Sequence, residues 1–199
     1  MLPNDSYFAI YGTTTGNLFL ISGMITGQGT SKNGAYTASV TDFYYTGLTS
    51  TGSLTATYVP GTSLNGSLVE SGVTATFTGN SIPTSQFNFN MPASLSAITG
   101  TWSGNLLDGS SATVTIASNG TLSGSNLGCT FSGTLVADGA KNFFTLTLTF
   151  ANTSACLLPG QTATGIGITY LLSNNTTRQL LFGGTAAGGT KGTLFLATR

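Results

Sequence analysis

Apolar and polar residues alternate with a period of two along most of this chain. The cleanest run is Phe143-Phe-Thr-Leu-Thr-Leu-Thr-Phe150. On a β-strand successive side chains point to opposite faces, so such a run offers one apolar face and one hydroxylated face. The same pattern predicts strands over 7–11, 18–26, 35–45, 53–59, 63–69 and 73–78. It continues over 100–104, 112–117, 121–125, 129–136, 143–150, 162–172, 178–182 and 192–198. Asn33-Gly34, Pro60-Gly61, Asn119-Gly120, Pro159-Gly160 and Asn174-Asn175 punctuate the runs as turns. No window carries a sustained helical period, and residues 93–98, after Pro92, are the best stretch for a single helical turn.

Residues 79–99 break the alternation with Asn80, Pro83, Asn88, Asn90 and Pro92, although Phe87 and Phe89 lie among them. They read as a connection between two units, 1–90 and 91–199. Gly66-Ser-Leu-Val-Glu-Ser-Gly72 echoes Gly133-Thr-Leu-Val-Ala-Asp-Gly139. Strand order matches 7–11 with 112–117, 18–26 with 129–136, and 35–45 with 143–150. The strand at 100–104 then has no counterpart in the first half. The expected fold is all-β: two tandem, similar, small antiparallel barrel or sandwich units, the first lacking its opening strand.

Composition narrows the function. The 199 residues are 40% hydrophobic, which supplies a core, but only 5% charged, against about 25% in an ordinary soluble domain. Lys32, Lys141, Arg178, Lys191 and Arg199 are scattered and the net charge is zero, which argues against nucleic acid as a partner, because phosphate must be neutralised. A near-neutral surface repels its neighbours little, and this favours an anchored setting or assembly. No apolar run is long enough to span a membrane as a helix. The opening Met1-Leu-Pro-Asn-Asp5 has neither the basic start nor the apolar stretch of an export signal.

Cys129 and Cys156 are the two cysteines. They are expected to form a disulfide, because Ser/Thr/Gly-rich, charge-poor β chains are typical of oxidising compartments. Buried free thiols are the alternative. Closing a loop of that length constrains the unfolded chain by about 3.5 kcal/mol on the loop-entropy model.

Several segments are familiar. Leu127-Gly-Cys-Thr-Phe-Ser-Gly133, Lys141-Asn-Phe-Phe144, Cys156-Leu-Leu-Pro-Gly160, Thr162-Ala-Thr-Gly-Ile166 and Thr177-Arg-Gln-Leu-Leu181 resemble a group of proteobacterial cell-envelope proteins. These are usually exported as lipoproteins, and no activity is established for them. The resemblance covers most of the chain and is densest after residue 92. It implies an envelope location: periplasmic, outer-membrane-anchored or secreted. Members of the group begin with a lipoprotein signal and a strand like 100–104, followed by Val-Leu where this chain has Met1-Leu2. The resemblance therefore implies that Met1 is not the native start, and that a signal, a lipid anchor and one strand precede it. It carries no catalytic residues.

Catalytic candidates are few. The absence of His removes the commonest general base and the usual triads. Asp5, Glu70, Asp108 and Asp138 lie in or beside turn signals, where local hydrogen bonding explains them. No two carboxylates are marked out as a facing pair, and no metal site or cofactor is expected. Asp42 is the one charge inside a predicted strand, on the same face as Ala38, Val40 and Tyr44. Backbone amides or a bulge account for it, and the sharper alternative is a buried pair with Arg178. Tyrosines crowd the first half, with Tyr170 alone in the second. Adjacent Tyr44 and Tyr45 must face opposite ways, so Tyr36, Tyr44 and Tyr45 are candidate contact residues, against the plainer reading that they pack on the sheet. Trp102 is expected to plug the second core.

The resulting expectation is a non-enzymatic β protein of the envelope or secreted, in contact with another envelope protein or a surface polysaccharide. A barrel that binds a small apolar ligand is the alternative, and an enzyme comes third.

Overall fold

The computed structural model describes every residue except 16 and 17, and Leu18 by its backbone only. It divides into two compact units, Met1–Ile82 and Pro83–Arg199. The first is an antiparallel meander of six strands in sequence order: β1 (Ser6–Thr15), β2 (Leu18–Lys32), β3 (Ala35–Tyr44), β4 (Thr49–Val59), β5 (Ser63–Glu70) and β6 (Val73–Asn80). The second is a closed barrel of eight: β7 (Gly100–Leu106), β8 (Ser111–Ile116), β9 (Thr121–Asn126), β10 (Cys129–Ala137), β11 (Phe144–Phe150), β12 (Thr162–Leu171), β13 (Arg178–Ala186) and β14 (Gly192–Thr198). The single helical element among the described residues is a 3-10 turn, Leu95–Ala97. No helix is long and apolar enough to cross a membrane.

Each strand expected from alternation is present. Their ends differ where glycine, serine and threonine carry no alternation. The β2 ladder runs on to Lys32 and β4 starts at Thr49, because backbone pairing rather than side-chain burial sets those limits. The division between units falls at 82/83 rather than 90/91, because the connection belongs to the barrel. Gln86 O accepts from Leu171 N (3.1 Å), Phe89 O from Asn142 N (3.0 Å), and Asp138 O from Ala93 N (3.1 Å).

The barrel closes through β14 and β7, with Leu196 opposite Asn105 and Ala197 opposite Gly104. Burial in β11 alternates without a break from Phe144 to Phe150. The inward residues include Trp102, Leu135, Phe144, Leu146, Phe182 and Phe195, each almost fully buried. An eight-stranded barrel has an interior just wide enough for side chains to fill, and here they fill it. Trp102 Nε1 donates to Ile98 O at 2.7 Å, so the one polar atom of the plug is satisfied. Cys129 and Cys156 form a disulfide with a Cα–Cα distance of 4.8 Å, tying the start of β10 to the loop between β11 and β12.

The first sheet is built differently. Its inward face alternates tyrosine with glycine on neighbouring strands. Tyr7 lies opposite Gly27, and Tyr11 opposite Gly23. A Cβ at Gly23 would overlap the Tyr11 ring, and one at Gly29 would overlap the Tyr36 ring. The rings thus lie flat over strands that have no side chain there, which compensates for the poor packing of strand glycine. Tyr7 and Tyr36 meet edge to face at 6.1 Å and form a small core with Val40, Leu54 and Ala56. The sheet stays open, and among the described residues β6 pairs with β5 alone.

Candidate functional site

The most unusual chemistry in the chain lies on the inward face of the first sheet. Asp42 sits on β3 opposite Ser50 of β4, and it is only 3% exposed. Tyr11 reaches it from β1, its hydroxyl donating to both carboxylate oxygens at 3.0 and 2.8 Å. The ring gets there by crossing Gly23, the residue between β1 and β3 at that level. Glu70 enters from β5 in the same manner, with its Cγ lying over Gly52 of β4. Tyr44 OH donates to Glu70 Oε2 at 3.4 Å and lies 3.3 Å from Ser50 Oγ. Glu70 Oε1 is buried without a hydrogen-bond partner among the described residues.

Two glycines therefore make room for Tyr11 and Glu70 to approach Asp42 from either side. Burial is the largest influence on Asp42. The Tyr11 hydrogen bond opposes it, the neighbouring Glu70 carboxyl adds to it, and the net effect pushes Asp42 up to about 6. Burial also raises Tyr11 and Tyr7, for Tyr11 with the Asp42 hydrogen bond as the next cause. Both phenols stay protonated and able to donate. A glycosidase requires carboxyls about 5 to 10 Å apart on either side of a substrate. Here Tyr11 holds Asp42 and Tyr44 reaches Glu70, so the cluster ties β1, β3 and β5 together.

The sign of the resulting pH dependence follows. In the unfolded chain Asp42 loses its proton near 3.8, and in the sheet near 6. Stability is full below the lower value and is lost as pH rises through the upper one. The first unit is expected to unfold more readily at pH 7 than at pH 4. Asp42→Asn should flatten that profile. Denaturant unfolding at several pH values, followed through tyrosine fluorescence or NMR, checks this, and an unchanged profile in the variant would count against a buried acid.

The other predicted residues separate. The Asp42 carboxyl is held by Tyr11 and not by Arg178, which lies on β13 of the second unit with its backbone paired to Arg199. Tyr36 is buried at 2% exposure with its hydroxyl on Asp5 O at 2.7 Å, so it offers no contact surface. Tyr44 is half-buried within the acid cluster, and Tyr45 alone of the three is well exposed, at 54%. Asp108 and Asp138 do accept local turn amides, from Ser110 N and from Ala140 N and Lys141 N. Asp5 instead binds Ser31 across the sheet, through its backbone N and its Oγ, and Ser31 thereby lowers the proton affinity of its carboxyl. Glu70 does lie beside the Ser71-Gly72 turn, but its side chain meets Tyr44 on the inward face instead of a local turn amide. Its signal was its parity with Leu64, Gly66 and Leu68, the inward set of β5.

The barrel's outer face carries hydroxyls in register: Thr101, Thr115, Ser123, Ser132, Thr149 and Thr162 form one row across six strands. An open hollow of about 580 Å³ lies along this region. It has no charged lining residue and reads as a solvated polar face. Among the described residues, no group of three or more metal-binding side chains occurs. No protein-family model matches the chain, and no curated protein or solved structure matches it either.

Proposed function

We propose that this is a non-enzymatic, exported β protein of the cell envelope that acts by binding other proteins along the β6 edge of its first sheet. The observation that carries this reading is β6. It is an eight-residue edge strand, Val-Thr-Ala-Thr-Phe-Thr-Gly-Asn, with no charge and no proline. Natural edge strands are normally guarded by charge, proline, bulges or a covering element, and an unguarded edge is the template for strand addition. The filled barrel supports a scaffold role over a small-ligand carrier, because its interior is occupied by its own side chains. The disulfide fits an oxidising compartment.

A proline at Thr76 tests the reading. The Ser71-Gly72 turn has positive φ at both residues (48° and 81°) and closes on the pair Glu70–Val73, as in a type I′ hairpin. Hydrogen-bonded pairs recur at every second residue from that closure. Ala75, Phe77 and Gly79 therefore bond to β5, while the N–H and C=O of Thr74, Thr76 and Thr78 point away from it. Thr76→Pro removes an outward donor without breaking the hairpin. Immobilised wild type is expected to retain a partner from envelope extract, as is Ser132→Lys on the barrel, and Thr76→Pro is expected to lose it. Equal retention by all three would sink the proposal.

A further inference from the structure

The sequence of β6 is complementary to itself when reversed, and we propose that a second copy of this chain docks there, β6 against β6 about a twofold axis, to give one continuous twelve-stranded sheet. This rests on the reading of that edge as the contact surface, and it names the partner.

The outward backbone groups belong to Thr74, Thr76 and Thr78, so an antiparallel pairing that uses all three is centred on the middle one. Thr76 then faces its own copy, and Thr74 faces the partner's Thr78. Threonine pairs directly opposite one another are favourable across strands. On the inward face the same register sets Ala75 against the partner's Phe77, and Val73 against the partner's Gly79. Each large side chain meets a small one, and a shift by one pair in either direction would lose that match. The exposure pattern agrees: Val73 is 70% exposed, Thr74, Ala75, Thr76 and Thr78 are exposed, and only Phe77 and Gly79 are half-covered. No charged side chain lies between Val73 and Asn80, so two copies meet without like-charge repulsion. A closed point-group dimer is the ordinary outcome of such an isologous patch. One edge-to-edge contact buries less than the roughly 1,200 Å² at the low end of stable interfaces, so the dimer should be weak and concentration-dependent.

Charge at the axis provides the test. Thr76 is exposed and its side chain leaves the β5 pairing untouched, so Thr76→Lys and Thr76→Glu are expected to fold. Each places two like charges face to face, and self-association measured by sedimentation should weaken about tenfold. Mixing the two variants in equal amounts should restore a dimer. In the wild type, amide exchange at Thr74, Thr76 and Thr78 should slow as concentration rises from low micromolar towards millimolar, while the Ala75 and Phe77 amides stay slow throughout. A wild type that remains monomeric over that range overturns the inference. So does a dimer indifferent to both substitutions, or a mixture that fails to associate. The edge reading fails separately: if envelope extract yields a partner that Thr76→Pro does not lose, it falls whatever the oligomeric state.

Discussion

Trp102→Ala is expected to destabilise the barrel by about 4 kcal/mol, the range for removing a fully buried indole. Trp102 is the single tryptophan and is 1% exposed. It stands on β7, the strand at which the barrel closes. Its loss leaves a large void in a packed interior, which the surrounding side chains refill only in part. It also orphans Ile98 O, a buried acceptor. The Arg199 guanidinium, stacked 4.1 Å from the indole centroid, loses the surface that orients it towards Thr99 O, to which it donates at 2.9 Å. Trp102→Phe restores part of the volume but not the donor, and should cost about half as much. Circular dichroism through a urea titration measures both. The two units should separate, with the barrel transition moving and the first sheet's staying in place. A shift under about 1 kcal/mol would mean that the void is refilled and that the barrel is not packed as described.

The barrel was the more legible half. Phe144 to Phe150 states its own burial in the order of its letters, whereas Phe182 and Phe195 come from strands whose burial does not alternate. The first sheet was harder to read because its inward face is Tyr and Gly, not Leu and Val. Tyr11, Tyr36 and Tyr44 look like surface residues on composition alone. Only the cross-strand register shows that the rings lie over Gly23 and Gly29. The acid pair escaped for the same reason. Asp42 and Glu70 are far apart in sequence, and they come to one cluster because Gly52 leaves space on β4, the strand between them, while Gly23 lets Tyr11 in from β1. Alternation gives the face a residue points to. It does not give the residue's neighbours two strands away, and the site is made of those neighbours.

Replacing Cys129 and Cys156 together with serine should lower the barrel's stability by about 3.5 kcal/mol, nearly as much as losing the tryptophan but by a different route. The bond closes a loop with a sequence separation of 27, and its main effect falls on the unfolded chain, whose freedom it removes. The native loop has anchors of its own. Leu158 is fully buried, Ala151 N donates to Thr130 O at 2.9 Å, and Gln161 N donates to Leu158 O at 3.1 Å. The loop should therefore keep its place when the bond is gone. Two measurements separate the routes. Urea unfolding should show the barrel midpoint falling while the first sheet's stays. Amide exchange at Gln161 under native conditions, where local opening dominates, should stay close to wild type. If Gln161 exchanges much faster in the serine variant, the bond is holding the native loop rather than restraining the unfolded chain. If neither midpoint moves, the bond contributes nothing to the barrel. The first sheet has no cysteine, and its inward face is held by ring-over-glycine packing and the buried Asp42 cluster. That contrast makes the first sheet the unit to respond to pH and to offer an edge, while the stapled barrel stays unchanged.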